Sequence, residues 1–246
     1  MAPVELGDLS HDAQTIIAYV QFEFDKMKTE FTAIVNSKNS EIQSLKSEVL
    51  DMKHKIIKLE NLVDESDAYE RWDTLIFSGP SVPVVSQDEN CSTIIQNLVK
   101  NELKCIVSPN DISTAHRLGK KPISQMPDRR NLIVKFCRRD VKHQIFAARK
   151  TLPRDTRLYV SESLTPGRQN IFHTLRKIRR SNPDLIAGVS TYDGRVYAYT
   201  KNKPGARASS ATRDRRHLIN NSDMLKKFCE EFLKTPLQTF LNSFAN

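Results

Sequence analysis

The sequence predicts an α+β protein in which a long N-terminal helix precedes a series of short strands and helices. Residues 12 to 67 contain no proline or glycine, and apolar residues recur there at helical spacing. After residue 72, apolar runs of strand length bounded by Gly and Pro alternate with amphipathic helical segments. We therefore expect a coiled-coil helix over residues 12–68, followed by compact mixed domains.

The long helix carries seven apolar residues whose spacings alternate strictly between three and four. They are Ile42, Leu45, Val49, Met52, Ile56, Leu59 and Val63. This is the a/d pattern of a coiled coil, and flanking pairs such as Glu41 and Lys46 have opposite charges. The pattern favours parallel self-association and leaves dimer and trimer open, while a single amphipathic helix packed on the rest of the chain is the alternative. Upstream, Lys28 and Lys38 fall on seam positions of the same frame.

Charge is unevenly distributed along the chain. Residues 1–70 hold 7 Lys and Arg against 14 Asp and Glu, whereas the remainder holds 31 against 15. An acidic helical arm on a strongly basic body indicates a protein partner for the arm and a polyanion partner for the body.

The sequence contains no pattern typical of an enzyme or a metal site. The four cysteines are far apart, without zinc-ligand spacing, and are expected to be free thiols in a reducing compartment: Cys91, Cys105, Cys137 and Cys229. No phosphate-binding loop, metalloprotease motif or nucleophile elbow occurs, and acidic residues are scarce in the basic body. We expect no catalytic residue, no metal and no cofactor. With no signal sequence and no membrane-length apolar run, an intracellular protein without membrane contact is expected.

The segment after the long helix predicts six elements in the order β-α-β-β-α-β. They are a strand at 73–79, a helix at 88–104, strands at 112–118 and 132–136, a helix at 140–150 and a strand at 158–160. A basic loop at 119–130 joins the second and third strands. This order is that of the ferredoxin-like split βαβ, the frame of the RNA-recognition motif (RRM), and we assign it to residues 71–161.

A smaller C-terminal domain is predicted over residues 162–200. Thr165 and Pro166 are typical of a helix start, and Asp193-Gly194 is typical of a type I′ turn between two strands. Residues 201–221 are predicted to be a mobile basic linker, and residues 222–243 a terminal helix interrupted at Pro236.

Three segments carry a resemblance to a known family: DISTAHRLG at 111–119, NLIVKF at 131–136 and LYVSESLTP at 158–166. In this order, after a coiled coil, they resemble the first open-reading-frame protein of LINE-type (non-LTR) retrotransposons. The part from Leu158 also resembles the C-terminal domain of the baculovirus FP (few polyhedra) protein. The resemblance covers roughly residues 70–200. It implies coiled-coil oligomers that coat element RNA into a ribonucleoprotein particle, act as nucleic-acid chaperones, and clasp single-stranded RNA between the two domains.

The resemblance implies RNA contacts from basic residues on the strands, the basic loop and the helix after Thr165. The candidates are Arg117, Lys120, Lys121, Arg129, Arg130, Lys135, Arg157, Arg168, Arg176, Lys177, Arg179 and Arg180. Aromatic residues are ambiguous. Phe77 and Phe136 either stack on bases or face the core, and Tyr197 and Tyr199 share one face that either stacks on bases or packs against the RRM-like domain.

We therefore expect an oligomeric protein that binds single-stranded RNA, or single-stranded DNA, in a cytoplasmic ribonucleoprotein, with nuclear entry during integration as a further option. The alternative is a coiled-coil scaffold whose FP-like domain binds protein. Salt-sensitive binding to single strands separates the two hypotheses.

Overall fold

The computed structural model describes residues 10–120, 128–153, 155, 157–200 and 215–243. The chain divides into two compact units, Met1–Glu60 and Asn61–Asn246. Helix α1 (His11–Glu70) accounts for the described part of the first unit and supplies the beginning of the second. The mixed composition of long helix, shorter helices and two antiparallel sheets confirms the α+β class.

Helix α1 is continuous, as the sequence predicts, and its apolar seam is uncovered in the single chain. The seven seam residues between Ile42 and Val63 are each 43 to 68% exposed. In the described part of the chain, no helix is long and apolar enough to cross a membrane.

The first sheet belongs to a β-α-β-β-α-β segment. Its elements are β1 (Thr74–Ser78), α2 (Cys91–Glu102), β2 (Ile112–Arg117), β3 (Leu132–Phe136), α3 (Arg139–Ala148) and β4 (Tyr159–Glu162). The four strands are antiparallel in the order β2-β3-β1-β4. Helices α2 and α3 pack on one face, where Ile95 and Ile145 meet Leu75 and Val134. The predicted bounds differ from the observed ones by one to three residues at most ends.

Phe77 and Phe136 lie in this core. They are 0% and 2% exposed, and they alternate with residues that point to the opposite face of the sheet. The structure therefore decides the alternative that the sequence left open, because neither ring is accessible to a base.

The second sheet and three helices follow. They are α4 (Pro166–Ser181), β5 (Ile186–Tyr192), β6 (Arg195–Thr200), β7 (Arg215–Leu218), α5 (Ser222–Phe232) and α6 (Leu237–Ser243). The strands are antiparallel in the order β5-β6-β7. Thr165 caps α4 as predicted, and Asp193 and Gly194 have φ values of 48° and 66°, as a type I′ turn requires.

The prediction of a mobile linker over residues 201–221 is wrong for residues 215–218. These form β7, which pairs with β6 from Tyr197 to Thr200. A hydropathy pattern does not predict this strand, because it begins with two consecutive arginines. Their charged ends are exposed at the edge of the sheet. Residues 201–214 lie outside the described residues.

A second core joins the C-terminal elements. Helix α4 contributes Leu175 and Ile178, the hairpin contributes Val196, and α5 contributes Phe228. The terminal helices therefore belong to the same packed body as the hairpin and are not a separate appendage.

Candidate nucleic-acid interface

The face of the four-stranded sheet that lies opposite α2 and α3 is open. Alternation along the strands places His116, Lys135 and Tyr159 on it, all exposed, together with the half-buried Ile76 and Ile133. Tyr159 is 58% exposed. The open face therefore combines a stacking ring with cationic and apolar side chains.

Gly79 allows the chain to approach Tyr159 closely. Its φ is 104°, and a Cβ at this position would lie 2.4 Å from the Arg157 carbonyl oxygen and 2.8 Å from the Tyr159 ring. A larger residue here would displace the edge strand that carries Tyr159.

A cleft of about 290 Å³ opens beside this face, between strand β4, helix α4 and strand β5. Ile76 and Ser161 of the sheet form one wall, and Phe172 and Arg176 of α4 form another. The Arg176 guanidinium lies 5.6 Å from the centre of the Phe172 ring. The cleft thus offers an apolar surface for a flat ring and a cation for a phosphate.

The charge along the cleft is positive. Two cations, Arg149 and Arg176, line it beside the imidazole of His173, and among the described residues Glu162 is the one acidic residue that does so. Glu162 is neutralised by Lys142, whose Nζ lies 2.6 Å from its Oε1. Burial lowers the pKa of the Arg149 guanidinium from its ordinary value, but an arginine remains charged at neutral pH.

Helix α4 extends this positive surface. Its core face carries Ile171, Leu175 and Ile178, and its exposed face carries four of the predicted contacts: Arg176, Lys177, Arg179 and Arg180. On a helix of 3.6 residues per turn, Arg180 lies one turn beyond Arg176 on the same stripe. These residues remain candidates for phosphate contacts.

Arg117 does not belong to the interface, which corrects the sequence prediction. Its side chain is 5% exposed and pairs with Glu89 through Nε (2.9 Å) and Nη2 (2.7 Å). It also donates to the carbonyl oxygens of Pro83 and Arg130. The hydrogen bond from Arg117 holds the pKa of Glu89 below its usual value. This arginine ties the β1–α2 loop and the β2–β3 loop to β2.

Arg168 is likewise structural. Its side chain is 3% exposed, its Nε lies 2.6 Å from Asp64 of α1, and its Nη1 donates to the Gly194 carbonyl oxygen. Asp64 also accepts a hydrogen bond from Thr165, the cap of α4. Arg168 therefore joins the end of α1, the start of α4 and the hairpin turn, and is not available to RNA.

The arginines before β3 are partly committed to the protein. Arg129 donates to the carbonyl oxygens of Pro80 and Val82, and Arg130 pairs with Asp128 at 3.0 Å. Arg129 is exposed and remains a candidate, as do Lys120 and Arg157, which are also exposed. Lys121 lies outside the described residues.

A buried polar cluster connects the two sheets. Lys142 of α3 lies 2.6 Å from Glu162 and 3.0 Å from Asp193 of the hairpin turn, and its side chain is 0% exposed. The Asp193 backbone N–H donates to Glu162, and His143 Nε2 lies 2.7 Å from Asp193 Oδ1. Burial raises the pKa of Asp193, but hydrogen bonds from His143 and Lys142 outweigh it and hold that pKa below its usual value. The cluster fixes the hairpin against α3 and β4, on which the cleft depends.

The tyrosines of the hairpin are mostly structural. Tyr197 is 7% exposed and lies under Arg216, whose Cζ is 4.6 Å from the ring centre. The Tyr199 hydroxyl lies 3.1 Å from Ser190 Oγ, and Tyr192 stacks on His143 at 5.4 Å. Base stacking is therefore excluded for Tyr197 in this conformation.

Sequence reasoning missed Tyr159, Phe172, His173 and Arg149. A hydropathy pattern does not distinguish them from surface residues. Arg149, Phe172 and His173 come together only where β4, α4 and β5 meet at one cleft, and Tyr159 lies on the sheet face beside it. Period-two alternation along β4 could have placed Tyr159 opposite Val160, which is buried.

The chain matches no protein-family model, and a search of curated proteins found no match.

Proposed function

We propose that this protein binds single-stranded RNA as an oligomer, coats retroelement RNA into a ribonucleoprotein particle and acts as a nucleic-acid chaperone. The observation that carries the proposal is the positive cleft lined by Arg149, Phe172 and Arg176, beside an open sheet face that carries Tyr159. The antiparallel strand order supports a ferredoxin-like, RRM-like domain. The retroelement assignment rests on the sequence resemblance.

The chemistry of the cleft suits a sequence-tolerant binder. Cations spread along α4 and β3 neutralise phosphates of any sequence, and each such contact releases counterions. Every base has a flat face, so stacking on Tyr159 or Phe172 adds about 1–3 kcal/mol per base without selecting a sequence. A coat protein requires this kind of binding.

Self-association is supported by the way the end of α1 is attached. Asp64 and Ala68 contact the body, and they lie about 100° and 140° from Val63 around the helix axis. The seam at Val63 is therefore on the free side of the helix, with 68% of that side chain exposed. Several tethered bodies would then bind one strand with avidity that a single body lacks.

The proposal is tested by titrating labelled single-stranded RNA with the full chain at several salt concentrations. Lys135→Gln removes a cation from the open face of the sheet. Lys100→Gln makes the same change at an exposed position of α2, the helix that packs on the opposite face. We expect Lys135→Gln to weaken binding several-fold and to reduce the log–log salt slope by about 0.7, and Lys100→Gln to change neither. If the full chain does not bind single strands even at low salt, the proposal is wrong and the scaffold alternative replaces it.

The contribution of the oligomer is tested in the same titration with Leu45→Glu combined with Met52→Glu. These substitutions place charges on the seam and leave Asp64, which the body requires, in place. We expect a monomer with weaker RNA binding and slower annealing of complementary strands. Unchanged affinity in a proven monomer would show that avidity plays no part.

A further inference from the structure

The first half of α1 carries a second apolar series whose a/d register differs from that of the first. Its members are Ile17, Val20, Phe24, Met27, Phe31 and Ile34. Their spacings are three, four, three, four and three, again an a/d pattern. Ile17 is half-buried, and the other five are 59 to 68% exposed. The frame of Ile42 to Val63, continued upstream, would also keep Ile17, Phe24 and Phe31 on the seam, as d positions. It would replace the a/d partners Val20, Met27 and Ile34 by Gln21, Lys28 and Val35, and would add Lys38 to the seam.

The two series are offset by four residues. Ile34 is a d position and Ile42 an a position, and they are eight residues apart, where an unbroken heptad repeat would have four. A four-residue insertion is a known interruption of coiled coils that locally unwinds the supercoil. The connecting segment is polar at its centre, where Lys38 and Glu41 form an exposed ion pair at 2.7 Å.

The offset keeps both series on one face of an ordinary helix. A strict heptad series drifts by about 20° per repeat on a straight α-helix, and four residues advance about 40° beyond a full turn. The insertion therefore cancels the drift accumulated between Ile17 and Ile34. Because α1 continues without a break through this segment, a single apolar stripe runs from Ile17 to Val63.

We propose that both series are seams of one parallel coiled coil, joined by a four-residue insertion between Ile34 and Ile42, and that the occupant of both is a second copy of this chain. The inference rests on the proposed self-association. In this register Lys28 leaves the seam for an e position, and Glu23 occupies the g position five residues before it. Their opposite charges would pair between parallel chains, as Glu41 and Lys46 do in the second seam.

The register is tested by measuring self-association of the full chain by sedimentation equilibrium. Met27→Gln puts a polar group on the proposed seam, and Lys28→Gln is its neighbour outside it. We expect Met27→Gln to raise the dissociation constant by about tenfold or more and Lys28→Gln to change it by less than about twofold. If instead Met27→Gln has no effect and Lys28→Gln tightens association, the single frame holds and the inference is overturned.

Disulfide cross-linking gives an independent measurement. We expect Met27→Cys to form a covalent oligomer much faster than Lys28→Cys, with the unsubstituted chain as the control for native cysteines. Faster cross-linking at position 28 would overturn the inference while leaving the proposed self-association intact. A monomeric unsubstituted chain would overturn both.

Discussion

Arg168 and Arg176 lie about two turns apart on α4, but one is buried and the other is exposed. Arg168 is 3% exposed and pairs with Asp64 at 2.6 Å, whereas Arg176 is exposed beside Phe172 at the cleft. Removing a buried cation leaves its carboxylate partner unpaired and destabilises the fold, while an exposed cation at a cleft is available to a ligand.

The same substitution at these two arginines is therefore expected to affect different properties, stability at Arg168 and RNA binding at Arg176. Arg168→Met leaves Asp64 without its partner and should lower the free energy of unfolding by about 2–3 kcal/mol. Arg176→Met should leave stability nearly unchanged and weaken binding of single-stranded RNA several-fold. Thermal unfolding and RNA titration of both variants check this, and equal losses of stability would contradict the distinction.

Strand β7 shows why an element can escape sequence analysis. It is four residues long and begins with Arg215 and Arg216, so it has no apolar alternation. What holds it is the pairing with β6 and the packing of His217, whose ring centre is 4.1 Å from that of Phe232. The helices, by contrast, were predictable because their apolar spacing and the Thr165 cap are local signals.

We expect β7 to be sensitive to mild acid. Burial holds the pKa of His217 below its ordinary value of 6.5, so the unfolded chain binds the proton more readily than the folded one. The contribution of this group to stability is full above pH 6.5 and declines as the pH falls below it. Thermal unfolding from pH 8 to pH 5 should show this decline, and His217→Phe should reduce it. An identical pH profile in that variant would refute the assignment.

The terminal helices are expected to be required for the hairpin to fold. Ile219, Leu225, Phe228 and Leu233 all lie in the second core, so a chain that ends at Thr200 exposes the apolar face of α4. We expect rapid proteolysis of residues 162–200 in that chain, and full resistance in a control chain that ends at Ser243. Equal resistance of the two chains would show that the hairpin domain is complete without its terminal helices.

In the second compact unit, the two sheets act together through the cluster around Lys142. This side chain is 0% exposed and pairs with Glu162 on β4 and Asp193 on the hairpin turn. The cleft lies between the same elements, so its width depends on this contact.

Asp193→Asn is expected to loosen this arrangement while keeping the turn. Asparagine tolerates the φ of 48° at this position, but it removes the charge that pairs with Lys142. We expect a loss of about 1–2 kcal/mol in stability and weaker RNA binding, with Asp184→Asn, an exposed aspartate, as the matched control. RNA affinity that is unchanged in Asp193→Asn would show that the cluster does not shape the cleft.

The sequence by itself determined the long helix with its seam, the order of strands and helices through Thr200, and the concentration of positive charge after residue 70. These features are encoded by local spacing, by turn residues such as Asp193-Gly194 and by composition. Only the tertiary structure decided which cations are free. Arg117 and Arg168 are buried because Glu89 and Asp64, distant in sequence, fold against them, while Arg149 and Phe172 line one cleft because separate elements pack around it.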